Sequence, residues 1–248
     1  VGLKLRINIK VLFVLLVIYV LLFDFVLPPL KAFPRVELIW ESFLYLVAKH
    51  KILSGLGMIL SGIYISFLVA FISLFLFKRQ VFALLGNYPL FFRNLNIFGF
   101  ATPLVFTGIF VLFFSDGILS EFAFLFILSL SFLINVFSEN FPARYVTYEE
   151  AALGLGKNRR EISNVVWKGL LPFVKESLPR FHKRIWLYVL LLQMFYASNL
   201  GGVFYQLIEF KDYAGFYAFA IALWIVIGVN HLIIKYFAEK VIFWDREE

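Results

Sequence analysis

The chain alternates between long runs without a charged side chain and shorter stretches that hold nearly all of its charge. Residues 52–77, 94–115, 122–138, 185–208 and 213–234 contain no Asp, Glu, Lys or Arg. A helix crosses the hydrocarbon core with roughly 20 apolar residues, and 122–138 lies at the short end of the workable range. A further apolar run, 11–27, is interrupted only by Asp24 near its end, from where a carboxylate reaches the interface. Lys4, Arg6 and Lys10 precede that run, and Pro28 and Pro29 follow it where a signal peptide has a small-x-small cleavage site, so an uncleaved first helix is expected. The pattern predicts an all-α integral membrane protein, one domain over 1–248, with about six spans at 8–27, 53–77, 97–115, 119–138, 185–207 and 213–236.

The segments between the spans have their own patterns. Pro28, Pro29 and Pro34 end the first span, and residues 36–47 mix apolar positions with Glu37 and Glu41 one turn apart, as an amphipathic surface helix does. Gly55, Gly62, Ser66, Ala70 and Ser73 line one face of the second span; a small face lets membrane helices approach closely, and helix packing is the expected role. Pro103 within the third span is expected to kink it. Asp116 and Gly117 form the short turn into the fourth span. The 33 Phe residues read as lipid-facing filler rather than an aromatic binding box.

The one long polar interruption is 139–184. Thr147 with Glu150, and Asn158 with Glu161, each fit a capping box, which predicts two short helices with separate starts. Gly156 between them suits a left-handed residue closing the first helix. Ala151 and Ala152 keep one side of that helix slim enough for another protein to approach its backbone, and Arg159 and Arg160 add charge at its edge.

Composition narrows the chemistry. Hydrophobic residues make up 62% of the chain, well above the roughly 45–50% of soluble domains. With no cysteine there is no disulfide framework and no thiolate metal site. His50, His182 and His231 lie far apart in sequence without ligand spacing, so packing or interfacial roles are expected. No pair of intramembrane carboxylates and no Ser/His constellation suggests a membrane enzyme. If the amino terminus is cytoplasmic, 18 of the 23 Lys and Arg residues fall in cytoplasmic segments, all but Lys31, Arg35, Lys49, Lys51 and Lys211. That asymmetry predicts both termini in the cytoplasm and explains the net charge of +7 by the anionic leaflet, without nucleic acid.

Glu150-Ala151-Ala152, three residues, then Gly156 resembles the EAA loop of binding-protein-dependent ABC importer permeases and stands between the expected pair of spans. Residues 28–43, 55–79, the Asp116-Gly117 turn and 201–244 are similar to the corresponding parts of the nitrate, sulfonate and taurine branch. The chain departs from the family pattern in three places. Leu171-Pro172 stands later than the usual Leu-Pro, the Pro-rich start of the third span is reduced to Gly99 and Pro103, and Gln193 and Met194 stand where an acidic residue is common.

The resemblance implies a type I ABC importer permease fold in the cytoplasmic (inner) membrane, with 139–184 as a cytoplasmic coupling loop. Its coupling residues are Glu149, Glu150, Ala151, Ala152, Gly156, Arg159 and Arg160. The implied partners are cytoplasmic ATPase subunits, a second permease chain, identical or related, and an outer solute-binding protein. The sequence has no Gly-x-x-x-x-Gly-Lys-Ser/Thr phosphate loop, so ATP and Mg belong to the ATPase and this chain is not expected to be an enzyme. The implied solute is a small anionic or organic molecule. Another importer branch, or a non-transporting scaffold or sensor that keeps the docking loop, are the alternatives. Polar groups inside a bilayer are costly, so Thr102, Thr107, Asn135, Gln193, Ser198, Asn199 and Asn230 are candidates for the pathway, with interhelical hydrogen bonding as the other role open to each. Asn199, beside Gly201 and Gly202, is the preferred gate element.

Overall fold

The computed structural model describes residues 14, 15, 17–22, 32–88, 91, 92, 102–156 and 159–241, with the backbone alone for 142–149, 151, 152, 159, 160 and 241. Regular structure among them is helical: α1 (Val36–Lys49), α2 (Ile52–Leu76), α3 (Lys78–Asn87), α4 (Pro103–Phe113), α5 (Ile118–Gly154), α6 (Arg159–Phe195), α7 (Asn199–Glu209) and α8 (Tyr213–Val241). Three helical stretches are long and apolar enough to cross a membrane: α2, Ile118–Phe141 of α5 and Tyr213–Lys240 of α8. Glu161–Phe195 and Asn199–Glu209, bent by 70° at their junction, make a fourth if taken as one broken span.

The protein is thus an all-helical membrane protein with three to four candidate spans among the described residues, against an expectation of six. Most of the expected first span, Asp24 included, lies outside the described residues. In the region of the expected third span the described helix, α4, has 11 residues, about 16 Å or half the hydrocarbon thickness. Pro103 does not kink it. It occupies the first turn, where its missing N–H costs nothing, and Thr102 Oγ1 caps the helix by accepting from Val105 N at 3.4 Å. The expected fifth span at 185–207 is not one helix, because the backbone turns at 196–198 between α6 and α7.

Without a hydrophobic drive between helices in lipid, the bundle holds by close packing. The small face of α2 supplies it: Ser66 and Ala70 are fully buried, a Cβ on Gly62 would lie 3.1 Å from Leu125 Cδ1, and one on Gly55 would lie 2.7 Å from Leu200 Cδ2. The phenylalanines do more than face lipid. Phe82, Phe124, Phe132, Phe137, Phe141 and Phe181 are core residues, with Phe132 stacked on Phe181 at 4.3 Å between α5 and α6. Phe71, Phe75 and Phe137 set their rings edge-on to the buried Trp167, at 5.2 to 5.4 Å. Expecting filler was wrong for these rings because a bundle with few large polar groups must interlock through aromatic shape.

Helices α5 and α6 form the backbone of the molecule, an antiparallel pair of 37 residues each. Thirty-seven residues extend about 55 Å, so each helix outlasts the membrane-crossing part of its length. The 139–184 segment therefore does not fold as two short helices with separate starts. Thr147 lies inside α5, and the helix formers Glu149 to Leu153 carry α5 on past its apolar section. The described part of α6 runs from Arg159 with Glu161 in its first turn, and Asn158, the expected cap, lies outside the described residues. Pro172 and Pro179 sit within α6 without ending it.

Candidate functional site

At the end of the bundle opposite the hairpin tip, the chain leaves helical geometry at two neighbouring places. One is the turn at 114–117 between α4 and α5; the other is the break at 196–198 between α6 and α7. Tyr196 ties them together, donating to Phe114 O at 2.7 Å and lying 3.2 Å from Ser120 Oγ. The break places two non-glycine residues in the left-handed region, Ala197 at φ 49° and Asn199 at φ 46°. Such backbone costs on the order of 1 kcal/mol or more per residue and persists only where the surroundings hold it.

Gly201 and Gly202 hold it here. A Cβ on Gly201 would fall 2.3 Å from Gln193 C and Met194 N, and one on Gly202 2.6 Å from Ala197 O. The glycine pair does permit close backbone approach, but what approaches is the end of the chain's own α6. Gln193, 1% exposed, completes the joint by accepting from Gly201 N through Oε1 at 3.4 Å.

Glu121, in the first turn of α5, faces this joint. Its Oε1 accepts from Gln193 Nε2 and from Asn199 Nδ2, each at 3.2 Å. Both amides spend a donor on one carboxyl oxygen, an arrangement that fixes the carboxyl in place. A cavity of about 770 Å³ opens beside the cluster, lined by Ser54, Ser61, Asp116, Glu121, Ser198 and Asn199 together with Gly57, Gly62 and apolar groups from α2, α5 and α6. Irregular backbone at membrane depth is tolerated where it is buried in protein or borders a cavity, and the 196–198 break, half-buried at Tyr196 and Ser198, borders the cavity through Ser198.

Of the seven expected pathway residues, Gln193, Ser198 and Asn199 converge on this site. The other four do not. Thr102 caps α4, and Thr107 is fully buried with no partner for its hydroxyl among the described residues. Asn135 donates to Glu139 Oε1 at 3.1 Å, beside a cavity of about 200 Å³ that Arg180 and Arg184 also line. Asn230 accepts from Tyr64 Oη at 2.9 Å across α2 and α8 and borders an apolar cleft, the interhelical role left open for it. Sequence reasoning passed over Glu121, although it is the only acidic residue within the expected 119–138 span, and a lone carboxyl inside a span is itself a functional signal.

At the opposite end, the hairpin tip carries the expected docking residues. Gly156 is left-handed at φ 70°, as its position after α5 predicts, and its N–H closes on Leu153 O at 2.9 Å. Nothing stands within 4 Å of a Cβ placed there, so the requirement for glycine is conformational. Glu150 is exposed. Glu149, Ala151 and Ala152 in the last turns of α5, and Arg159 and Arg160 at the start of α6, are placed by backbone. Leu153 and Leu155, not foreseen as site residues, are 57% and 77% exposed at the tip.

His182 is buried and accepts from Trp186 Nε1 at 3.2 Å within α6, a packing role as expected from its isolation in sequence. Comparison with protein-family models, with curated proteins and with solved structures gives no match for this chain.

Proposed function

We propose that this chain is the membrane permease subunit of an ATP-driven ABC importer, with the 770 Å³ cavity as its half of the solute path and the hairpin tip as its grip on a cytoplasmic ATPase. The observation that carries this reading is mechanical. Helix α5 runs unbroken from Glu121 at the cavity to Gly154 at the tip, about 50 Å, and α6 returns unbroken from Arg159 to Gln193, which is bonded to Glu121. Movement of the tip is thereby delivered to the cavity wall by two rods that meet at one hydrogen-bonded joint.

The tip suits docking. Exposed Leu153 and Leu155 flank small residues and lie next to the Glu150-Ala-Ala-x-x-x-Gly156 pattern that resembles the EAA loop. In this reading the tip is cytoplasmic and the cavity opens to the outer side, where a solute-binding protein delivers its load. Closure of two ATPase subunits draws the tips of two permease chains together and biases the cavity between outward-open and inward-open states. ATP and Mg stay on the ATPase.

Vesicles reconstituted with this chain and the ATPase that co-purifies with it test the reading. ATP-dependent solute accumulation that disappears in Gly156→Val, with subunit assembly retained, is the expected outcome. Binding of the ATPase without accumulation of any solute delivered by the co-purifying binding protein points instead to the scaffold.

A further inference from the structure

The resemblance leaves the solute open between anionic and other organic molecules; the cavity wall separates these by charge. The charged residues among the described lining are both acidic, Asp116 at the turn and Glu121 in the wall, and no described Lys or Arg lines the space. Glu121 forms no ion pair with a described cation; its partners are the neutral amides of Gln193 and Asn199 on one oxygen, Oε1. The remaining polar lining consists of hydroxyls and an amide, Ser54, Ser61, Ser198 and Asn199, which hydrogen-bond a polar solute without offsetting a negative one. Among the described residues an anion entering here meets two acids and no counter-charge, whereas an ammonium group meets a carboxyl already held in place by two amides.

We propose that the cavity receives a solute by a cationic or ammonium-bearing end, with Glu121 as the counter-charge and Asp116 as an entrance charge. This rests on the permease reading for its purpose, not for its electrostatics. A lipid ammonium head group is the poorer source of that charge, because it brings a phosphate into a lining whose described residues offer no cation to receive it.

The absence of cysteine makes the charge preference directly measurable. A single thiol introduced by Ser61→Cys, and separately by Ser54→Cys, is reacted in lipid nanodiscs with the 2-(trimethylammonium)ethyl and the 2-sulfonatoethyl methanethiosulfonates. Each rate is divided by that of the same reagent with free 2-mercaptoethanol. The cationic reagent is expected to lead by about tenfold or more, the scale on which a cleft lined by one sign of charge concentrates counter-ions. Adding Glu121→Gln should remove most of the lead and Asp116→Asn the remainder, and free tetramethylammonium should slow the reaction where sulfate does not.

Equal rates, a faster anionic reagent, a preference that survives both substitutions, or a thiol inert to both reagents at both positions would each overturn the proposal. Protection by tetramethylammonium in phosphatidylglycerol discs but not in phosphatidylcholine discs would assign the site to a lipid head group and overturn the free solute. The assay contains no ATPase, so a failed docking or accumulation experiment leaves its result standing, and the converse holds.

Discussion

The two ends of the α5–α6 pair each turn on glycine, for opposite physical reasons. At the cavity end, Gly201 has to be glycine because the backbone of Gln193 and Met194 occupies the place of its side chain. At the tip, Gly156 has open space around it and is glycine for its left-handed backbone. One end is built of contacts within the chain, and the other carries exposed side chains, Glu150, Leu153 and Leu155. A single residue type therefore reports rigidity at one place and availability at another, which neither sequence position reveals alone.

Substitutions can break that contrast. The largest effect is expected at the joint: Gly201→Val drives a side chain into α6 and should cost about 3 kcal/mol or more, read as a lower midpoint of thermal unfolding in detergent. Gly156→Ala should cost about 1 kcal/mol, the penalty for left-handed backbone in an L-residue. Asn, which tolerates that conformation, should recover most of the loss at 156 and none at 201. Equal tolerance of Asn at both positions would remove the distinction.

Glu121→Leu leaves two amide donors facing the cavity without their acceptor and should cost about 1 kcal/mol of stability while abolishing solute uptake in reconstituted vesicles. Leu155→Asp sharpens the comparison from the other side. It should leave thermal stability within about 0.5 kcal/mol yet weaken capture of the ATPase, since its side chain packs on little within this chain. Thr102→Ala is the smallest expected change, about 0.5 kcal/mol, because its capping bond to Val105 is long.

The candidate spans in α2 and α8 were legible because freedom from charge over more than 20 residues admits few other structures, and that in α5 from a shorter run, 122–138. The left-handed Gly156 was legible from turn chemistry. The break at 196–198 was not: residues 185–208 are uniformly uncharged, and the bend depends on Gly201 seating against α6, a contact that hydropathy does not register. Glu121 escaped notice because it reads as the boundary of an apolar run, and its meaning comes from Gln193 and Asn199, more than seventy positions away. The capping pattern at Thr147 misled for a local reason: a cap signal acts only where a helix has already stopped, and α5 does not stop there.

The central claim is that the tip of the α5–α6 pair is held by an energy-converting partner. A photoreactive benzophenone attached through Leu155→Cys, activated in native membranes and followed by mass spectrometry, reads that contact directly. The account predicts a cross-link to a nucleotide-binding subunit, protected from membrane-impermeant reagents applied outside. Labelling of the same thiol from the outer face, or cross-links to lipid alone, would contradict it.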